Sequence, residues 1–348
     1  MSTPVPKALS LARPDDWHLH LRDGAALAAV LPHTARQFAR AIVMPNLRPP
    51  VTTVALAEAY RHRILAALPE NSRFEPLMTL YLTDNTTPGE IELAKASGTV
   101  HAVKYYPAGA TTNSDSGVTR LEHCFGALEA MEEAGLPLLL HGEVTDPEVD
   151  VFDREQAFID TVLPQITRRF AGLRLVLEHV TTREAVQCVD AAPANVAATI
   201  TAHHLLLNRN AMFAGGIRPH HYCLPLLKRE VHRRALVQAA TGGNPKFFLG
   251  SDSAPHPRRN KEALCGHAGV YTAHAAIELY AEVFEAAGAL ERLEAFASFH
   301  GADFYRLPRN GEQITLRREI WQVQSSFPLG DDELVPLRAG ERLAWRLQ

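Results

Sequence analysis

Short apolar runs alternate with amphipathic segments over most of the chain. Parallel strands that are covered on both faces read as continuous apolar sequence, so these runs predict buried strands. Eight strands are predicted, and their ranges in chain order are 16–22, 40–44, 75–82, 100–105, 137–141, 173–179, 195–202 and 246–252.

A helix or a connection of helical length follows each predicted strand. Helices are predicted at 24–39, 52–68, 119–135, 153–170, 182–191, 226–240, 268–287 and 290–298. Another helix is predicted to begin near residue 88, with Thr87 as its N-cap and Pro88 in its first position.

This βα alternation, repeated eight times, predicts the α/β class and a closed (β/α)₈ TIM barrel. An open doubly wound sheet is the alternative. It would usually carry a glycine-rich turn after the first strand, and the sequence LHLRDGAAL at that point has none. We expect a single domain over 1–348, with the barrel at about 14–300 and a C-terminal appendage at about 301–348.

Composition excludes several classes of function. Hydrophobic residues make up 46% of the chain and charged residues 21%, and the net charge is −4 without a block of like charge. This balance argues against partners such as nucleic acid or a membrane surface. No apolar run reaches membrane-spanning length, and the N-terminus lacks the apolar core of a signal peptide. Four scattered cysteines suggest no disulfide framework. We therefore expect the protein to be located in a reducing compartment, the cytoplasm.

The first strand carries a His-x-His motif. Alternate side chains of a strand face the same way, so His18 and His20 lie on one side, about 7 Å apart, and Arg22 follows on that side. Two imidazoles placed in this way can hold one metal ion. For an isolated motif of this length, a pair of ordinary strand histidines is the alternative.

Polar side chains recur at the carboxyl ends of the predicted strands, which surround one mouth of a barrel. They are His18, His20, Asn46, Lys104, His141, His179 and Asp252. Four histidines and an aspartate suit zinc or a similar transition metal. Five ligands exceed the needs of one catalytic zinc, so two metal ions fit better.

Two of these residues, Lys104 and Asp252, could do more than bind a metal ion directly. Lys104 beside cations would be driven to its neutral amine, which can react with CO₂ to give a bridging carbamate. A plain salt-bridged lysine is the alternative. Asp252 could bind a metal ion and also act as a general base, or it could simply cap a turn.

The ordered motifs WHLHLRD, MPNL, VKYYPAGATTNS, LHGE, LEHVTT and GSDSAPH resemble the amidohydrolase superfamily and, within it, the dihydroorotases of the homodimeric, single-function type. The resemblance covers most of the chain. It implies two Zn²⁺ per subunit, one held by His18, His20 and Asp252 and the other by His141 and His179. Lys104, as N6-carboxylysine, would bridge them together with a hydroxide.

The resemblance also implies a small-molecule substrate and a homodimer. Arg22, Asn46 and His256 would hold the substrate carboxylate. Backbone groups at Leu224 and Ala268 would contact the pyrimidine ring. Thr111 and Thr112 would form the tip of a loop that closes over the substrate.

The implied reaction is the reversible interconversion of N-carbamoyl-L-aspartate and L-dihydroorotate, with hydroxide attack on the ring amide and Asp252 as general acid and base. One alternative is another cyclic amidase, such as a hydantoinase or dihydropyrimidinase, which would not need the cationic cluster around Arg22. Another is a catalytically silent scaffold, although every ligand position is filled. His203 and His204 are expected to support the site or to be structural, and the role of His267 stays open.

Overall fold

The computed structural model of the protein describes residues 6–348. The strands of this range are Ala8–Ala12 (β1), Asp15–Leu19 (β2), Arg40–Val43 (β3), Glu75–Tyr81 (β4), Val100–Tyr105 (β5), Leu138–Leu140 (β6), Leu175–Leu177 (β7), Val196–Ile200 (β8), Phe247–Leu249 (β9), Gln313–Gln322 (β10), Phe327–Leu329 (β11), Asp332–Leu334 (β12) and Arg342–Leu347 (β13).

Helices cover most of the connections between strands β2 to β9. The α-helices are Gly24–Ala35 (α1), Val54–Ala66 (α2), Pro88–Ser97 (α3), Phe125–Ala134 (α4), Arg154–Thr161 (α5), Leu163–Arg169 (α6), Arg183–Ala191 (α7), Ala202–Leu206 (α8), Glu230–Thr241 (α9), Arg258–Lys261 (α10), Ala276–Ala286 (α11) and His300–Tyr305 (α12). Short 3₁₀ turns lie at Leu121–Cys124, Arg209–Met212, Pro219–His221 and Leu290–Arg292, and a π-helical turn at Ala295–Phe299.

Strands β2 to β9 form one parallel sheet in which each strand pairs with the next along the chain. The sheet closes on itself just beyond the end of β9. There the amide of Asp252 donates to the carbonyl of His18 at 2.9 Å, and the amide of His20 donates to the carbonyl of Ser253 at 3.2 Å. The predicted (β/α)₈ barrel is therefore confirmed.

The inside of the barrel has an apolar layer at its base. This layer contains Trp17, Ile42, Met44, Leu77, Ala102, Leu139, Val176, Ala197 and Phe248, and Tyr305 of α12 packs against it. The Trp17 ring stacks on Tyr305 with 4.4 Å between centroids. Side chains alternate along a strand, so the residues two positions further along the same strands also face inward, above this layer. These residues include Lys104, His141, Glu178 and Thr199, and all of them are buried.

The two ends of the described chain meet in a separate antiparallel sheet. Its strand order is β1–β10–β13, and β1 pairs with β10 from Ala8 opposite Arg317 to Ala12 opposite Gln313. Strands β11 and β12 form a small hairpin of their own. The division into a barrel at about 14–300 and an appendage at about 301–348 stays a prediction.

Several predicted elements have different bounds in the structure. Helix α3 begins as expected, with the Thr87 hydroxyl accepting from the Glu90 amide at 3.2 Å. The single helix predicted over 153–170 is instead two helices, because Pro164 has no amide hydrogen and its ring would clash with the preceding turn of a continuous helix. The helix predicted from residue 268 begins only at Ala276. Of the helices within residues 6–348, none is long and apolar enough to cross a membrane.

Candidate active site

Four histidines lie next to one another at the carboxyl ends of the barrel strands. The ring centroids of His18 and His20 are 5.3 Å apart, those of His18 and His179 are 5.0 Å apart, and those of His179 and His141 are 4.9 Å apart. The residues come from three strand ends, β2, β6 and β7. The structure thus brings together imidazoles that are far apart in sequence, as the strand-end pattern predicts.

Asp252 joins this group from the end of β9. Its Oδ1 lies 3.0 Å from His20 Nε2 and 3.4 Å from His18 Nε2. Ligand atoms of His18, His179 and Asp252 also lie within 4.8 Å of one another. The family resemblance assigns His179 to the other metal ion, whereas in the structure Asp252 lies close to His179 as well as to His18 and His20.

The backbone turns sharply at two of these residues. His179 has φ +40° and Asp252 has φ +44°, in the left-handed region that residues other than glycine rarely adopt. Both follow short strands, β7 and β9. Such outliers concentrate at functional sites, and here they direct two candidate ligands into the barrel mouth.

Neighbouring polar groups hold one ring nitrogen of three of the histidines. Glu178 Oε2 lies 2.8 Å from His18 Nδ1, Asn46 Oδ1 lies 2.9 Å from His20 Nδ1, and Glu143 Oε2 lies 2.8 Å from His141 Nε2. Contacts of this kind fix ring orientation and leave the other nitrogen free for a metal ion.

Sequence reasoning missed Glu178, Glu143 and Thr199, whose hydroxyl donates to Glu178 Oε2 at 2.6 Å. Alternation along the strands could have found two of them, because Glu178 and Thr199 lie two positions after the inward-facing Val176 and Ala197.

Lys104 is fully buried inside the barrel, in the same inward-facing layer as His141. Its Nζ is 5.0 Å from the centroid of the Tyr106 ring and has no hydrogen-bond partner among the described residues. Burial lowers the pKa of Lys104 to about 8, although Glu178 and Asp252 act in the opposite direction. The neutral amine, which is the form that reacts with CO₂, is therefore accessible near neutral pH.

The cluster fits divalent metal ions. Burial lowers the pKa of His20 to about 4, lowers that of His141, and takes that of His179 well below its ordinary value. These rings are therefore neutral at pH 7, which is the form that binds metals. The buried polar atoms here that lack a partner within residues 6–348 include Lys104 Nζ, His179 Nδ1 and Glu178 Oε1. A metal centre with imidazole and carboxylate ligands would account for this arrangement.

A cationic group lies beside the histidines. Arg22 approaches His256 Nε2 at 3.1 Å and also donates to the carbonyl of Pro255 at 3.3 Å. Burial and the nearby Arg22 take the pKa of His256 well below its ordinary value, so the neutral imidazole can accept from the guanidinium. Asn46 connects this group to the histidine cluster through His20. The ring of His267 lies 5.2 Å from that of His256, so His267 packs against the same group.

The loop with Thr111 and Thr112 lies across the barrel mouth. The Thr112 hydroxyl donates to the carbonyl of Ala268 at 3.3 Å, and Asn46 Nδ2 donates to the carbonyl of Thr112 at 3.0 Å. Thr111 is held from within the loop, since its amide donates to Ser114 Oγ at 2.8 Å. The loop therefore contacts two of the other predicted substrate-binding residues.

Leu224 and Ala268 lie on two loops that touch each other. The amide of Gly269 donates to the carbonyl of Tyr222 at 2.9 Å. Leu224 is half-buried and Ala268 is buried.

A second buried group, formed by His203, His204 and Cys223, also has ligand atoms within 4.8 Å of one another. Both nitrogens of His204 are already engaged, with Thr201 at 2.8 Å and with the carbonyl of Pro225 at 3.1 Å. These bonds give His204 a structural role.

Known proteins resemble this chain in sequence and in structure. Residues 16–317 match the model of the amidohydrolase family. A protein of Methylobacillus flagellatus named dihydroorotase is 70% identical over 340 residues, which cover 98% of this chain and 99% of that protein.

Two solved structures agree with this result. A dihydroorotase from Campylobacter jejuni has a TM-score of 0.90 at 36% identity. A dihydroorotase from Saccharomyces cerevisiae, in complex with 5-fluoroorotic acid, has a TM-score of 0.91 at 34% identity. Each alignment covers 99% of both chains. The chain therefore belongs to the amidohydrolase family and, within it, to the dihydroorotases.

Proposed function

We propose that the protein catalyses the reversible cyclisation of N-carbamoyl-L-aspartate to L-dihydroorotate and water, the third step of de novo pyrimidine synthesis. The observation that carries this proposal is the position of the Arg22, Asn46 and His256 group directly beside His20 and Asp252. This arrangement places a binding site for the substrate carboxylate next to a candidate hydrolytic centre.

Two zinc ions would be held at this centre. His18, His20 and Asp252 would hold one ion, His141 and His179 the other, and Lys104 carboxylated on Nζ would join them. When bound, such ions polarise a carbonyl and lower the pKa of a water molecule. The neutral rings and the buried amine of Lys104 support this assignment.

Asp252 would move the proton. Burial alone would raise its pKa, but contacts with His18, His20 and His179 outweigh burial and hold the pKa well below the ordinary value. The group is therefore a carboxylate at neutral pH. In ring opening it takes a proton from the attacking water and gives it to the leaving ring nitrogen, and in ring closure these transfers reverse.

Arg22 and His256 would orient the substrate through its carboxylate. A guanidinium presents paired donors that match the two oxygens of a carboxylate. A hydantoinase or dihydropyrimidinase acts on rings without this carboxylate and has no need of a half-buried arginine at that point. The cationic group therefore favours dihydroorotate over those substrates.

The loop with Thr111 and Thr112 would cover the bound substrate, and the backbone at Leu224 and Ala268 would contact its ring. The hydrogen bond from Thr112 to Ala268 connects these parts of the pocket. Water would be excluded when the loop lies in this position. We also propose a homodimer located in the cytoplasm, and light scattering on the purified protein checks the dimer.

The experiment that tests the proposed reaction follows the ultraviolet absorbance of L-dihydroorotate with purified, zinc-loaded protein. Hydrolysis should be seen, should stop after chelation and should return when zinc is added. Hydantoin and dihydrouracil serve as comparison substrates. Faster turnover of either one, or no turnover of dihydroorotate by metal-loaded protein, would contradict the proposal.

A further inference from the structure

Lys261, the last residue of α10, is a buried lysine whose amino group is fully occupied. Only 3% of the surface of this residue is exposed. Nζ donates to the carbonyls of Tyr222 at 2.8 Å, His267 at 2.8 Å and Gly269 at 2.7 Å. An ammonium has three N–H donors, so these carbonyls satisfy all of them.

The three carbonyls belong to two separate loops. Tyr222 lies two residues before Leu224, while His267 and Gly269 lie on either side of Ala268. Lys261 therefore joins the two segments whose backbone groups are assigned to the substrate ring. The ammonium also lies 5.6 Å from the centroid of the Tyr222 ring, which adds a cation–π contact to the same loop.

The second loop is tightly fitted against the carboxylate-binding group. Gly269 has φ +149°, and a Cβ on it would lie 2.9 Å from Ala254 Cβ, from the Ala254 carbonyl oxygen and from His256 Cδ2. A shift of this loop would therefore press on His256 as well as move Ala268. The position of the loop around Ala268 and Gly269 therefore affects substrate binding as well as local stability.

We propose that Lys261 is a positioning residue for the substrate pocket. Its ammonium sets the distance between the 222–225 and 267–269 loops, and with it the spacing of the backbone groups at Leu224 and Ala268. This inference rests on the proposed function for the identity of the substrate. The hydrogen bonds by which Lys261 joins the two loops do not depend on the identity of the substrate.

The variant Lys261→Met removes the ammonium and keeps most of the apolar stem. Lys246→Met is the matched control, because Lys246 Nζ also donates to three carbonyls, those of Val189, Asp190 and Ala192. Lys246 precedes β9 and thus lies at the opposite end of the barrel. It is only partly buried.

Two measurements on the metal-loaded, full-length protein test the proposal. Lys261→Met should raise KM for dihydroorotate about tenfold with a smaller change in kcat, because binding is lost in ground and transition states alike. Amide hydrogen exchange should become faster in peptides covering 222–225 and 266–270. Lys246→Met should leave KM and both peptides unchanged.

The outcomes separate this inference from the proposed function. Unchanged KM and unchanged exchange in Lys261→Met would overturn the role of Lys261. If the unmodified protein fails to hydrolyse dihydroorotate, the proposed function fails, and the exchange measurement still decides whether Lys261 joins the loops. If Lys261→Met does not fold, Lys261→Gln is used instead, because it keeps N–H donors without the charge. The same two measurements are made on it, and the same results support or overturn the proposal.

Discussion

At the scale of single residues, the candidate ligands are held in place by carboxylates that are not themselves ligands. Asp16 Oδ1 accepts from the amides of His18 at 3.2 Å and Ser251 at 2.8 Å. One buried carboxylate thus binds both strand ends, β2 and β9, that carry the proposed ligands of the first metal ion. Glu178 contacts the side chains of His18 in β2 and Thr199 in β8.

Replacement of Asp252 by asparagine should nearly abolish turnover. The amide has the shape of the carboxylate but cannot accept the proton, so kcat should fall about 10²- to 10⁴-fold. Steady-state kinetics measure the loss, and circular dichroism shows that the variant folds. A variant that retained near-native kcat would remove Asp252 from the proton-transfer role.

Replacement of Arg22 by methionine should mainly weaken substrate binding. Loss of the paired donors should raise KM for dihydroorotate at least about tenfold, with a smaller effect on kcat. Arg63→Met is a suitable control, because Arg63 pairs with Asp23 at 2.9 Å and its side chain is 46% exposed. Equal KM values for the two variants would count against carboxylate recognition by Arg22.

At the scale of elements, the base of the barrel depends on helix α12. Gly301 lies where a Cβ would overlap the indole of Trp17, so glycine is required by close approach and not by backbone conformation. Trp17 is adjacent in sequence to His18, and its stacking on Tyr305 anchors the strand that carries the His-x-His motif. Packing beneath the barrel therefore supports the chemistry above it.

Gly301→Ala should destabilise the fold, although alanine normally favours a helix. Overpacking against Trp17 should cost about 1–3 kcal/mol of the free energy of unfolding. Gly311→Ala is the control, since nothing lies within 4 Å of a Cβ at that glycine. Chemical denaturation measures both variants, and equal stabilities would contradict this reading of the α12 contact.

The barrel strands were predictable from sequence because burial on both faces leaves continuous apolar runs. Pairing between β1 and β10 was not, because residues such as Ser10 and Thr315 meet only after the chain has folded. The strand-end histidines were predictable from their positions at the ends of the apolar runs. The partner carboxylates Glu178 and Glu143 were not named. Strand alternation places Glu178 inside the barrel, but its contact with His18 forms only when the chain folds, because 160 positions separate the two residues. Glu143 contacts His141 only two positions away, and the sequence alone does not show that both side chains turn to the same side.

At the scale of the whole molecule, the proposed first metal ion would sit at the junction where the barrel closes. Main-chain hydrogen bonds join His18 to Asp252 and His20 to Ser253 there. The proposed ligands His18, His20 and Asp252 therefore come from both sides of the junction between the first and last strands of the barrel, β2 and β9. Metal binding and barrel closure should be thermodynamically coupled.

Removal of metal should consequently lower the unfolding temperature. A ligand present far above its Kd stabilises the native state by several kcal/mol, so we expect a loss of about 5–10 °C on chelation. Calorimetry on loaded, stripped and reloaded samples, with metal content measured on each, checks this. An unchanged unfolding temperature in a sample shown to be stripped of metal would contradict the coupling between metal binding and barrel closure.

The same junction has a consequence for how the protein is made in the cell. His18 and His20 leave the ribosome long before Asp252 is synthesised, and until then β2 has a free edge. The nascent chain therefore exposes two histidines without the aspartate that would complete their proposed ligand set. Uptake of the proposed first metal ion would accompany or follow the final closure, so in a cell short of metal, newly made chains would be closed by hydrogen bonds alone.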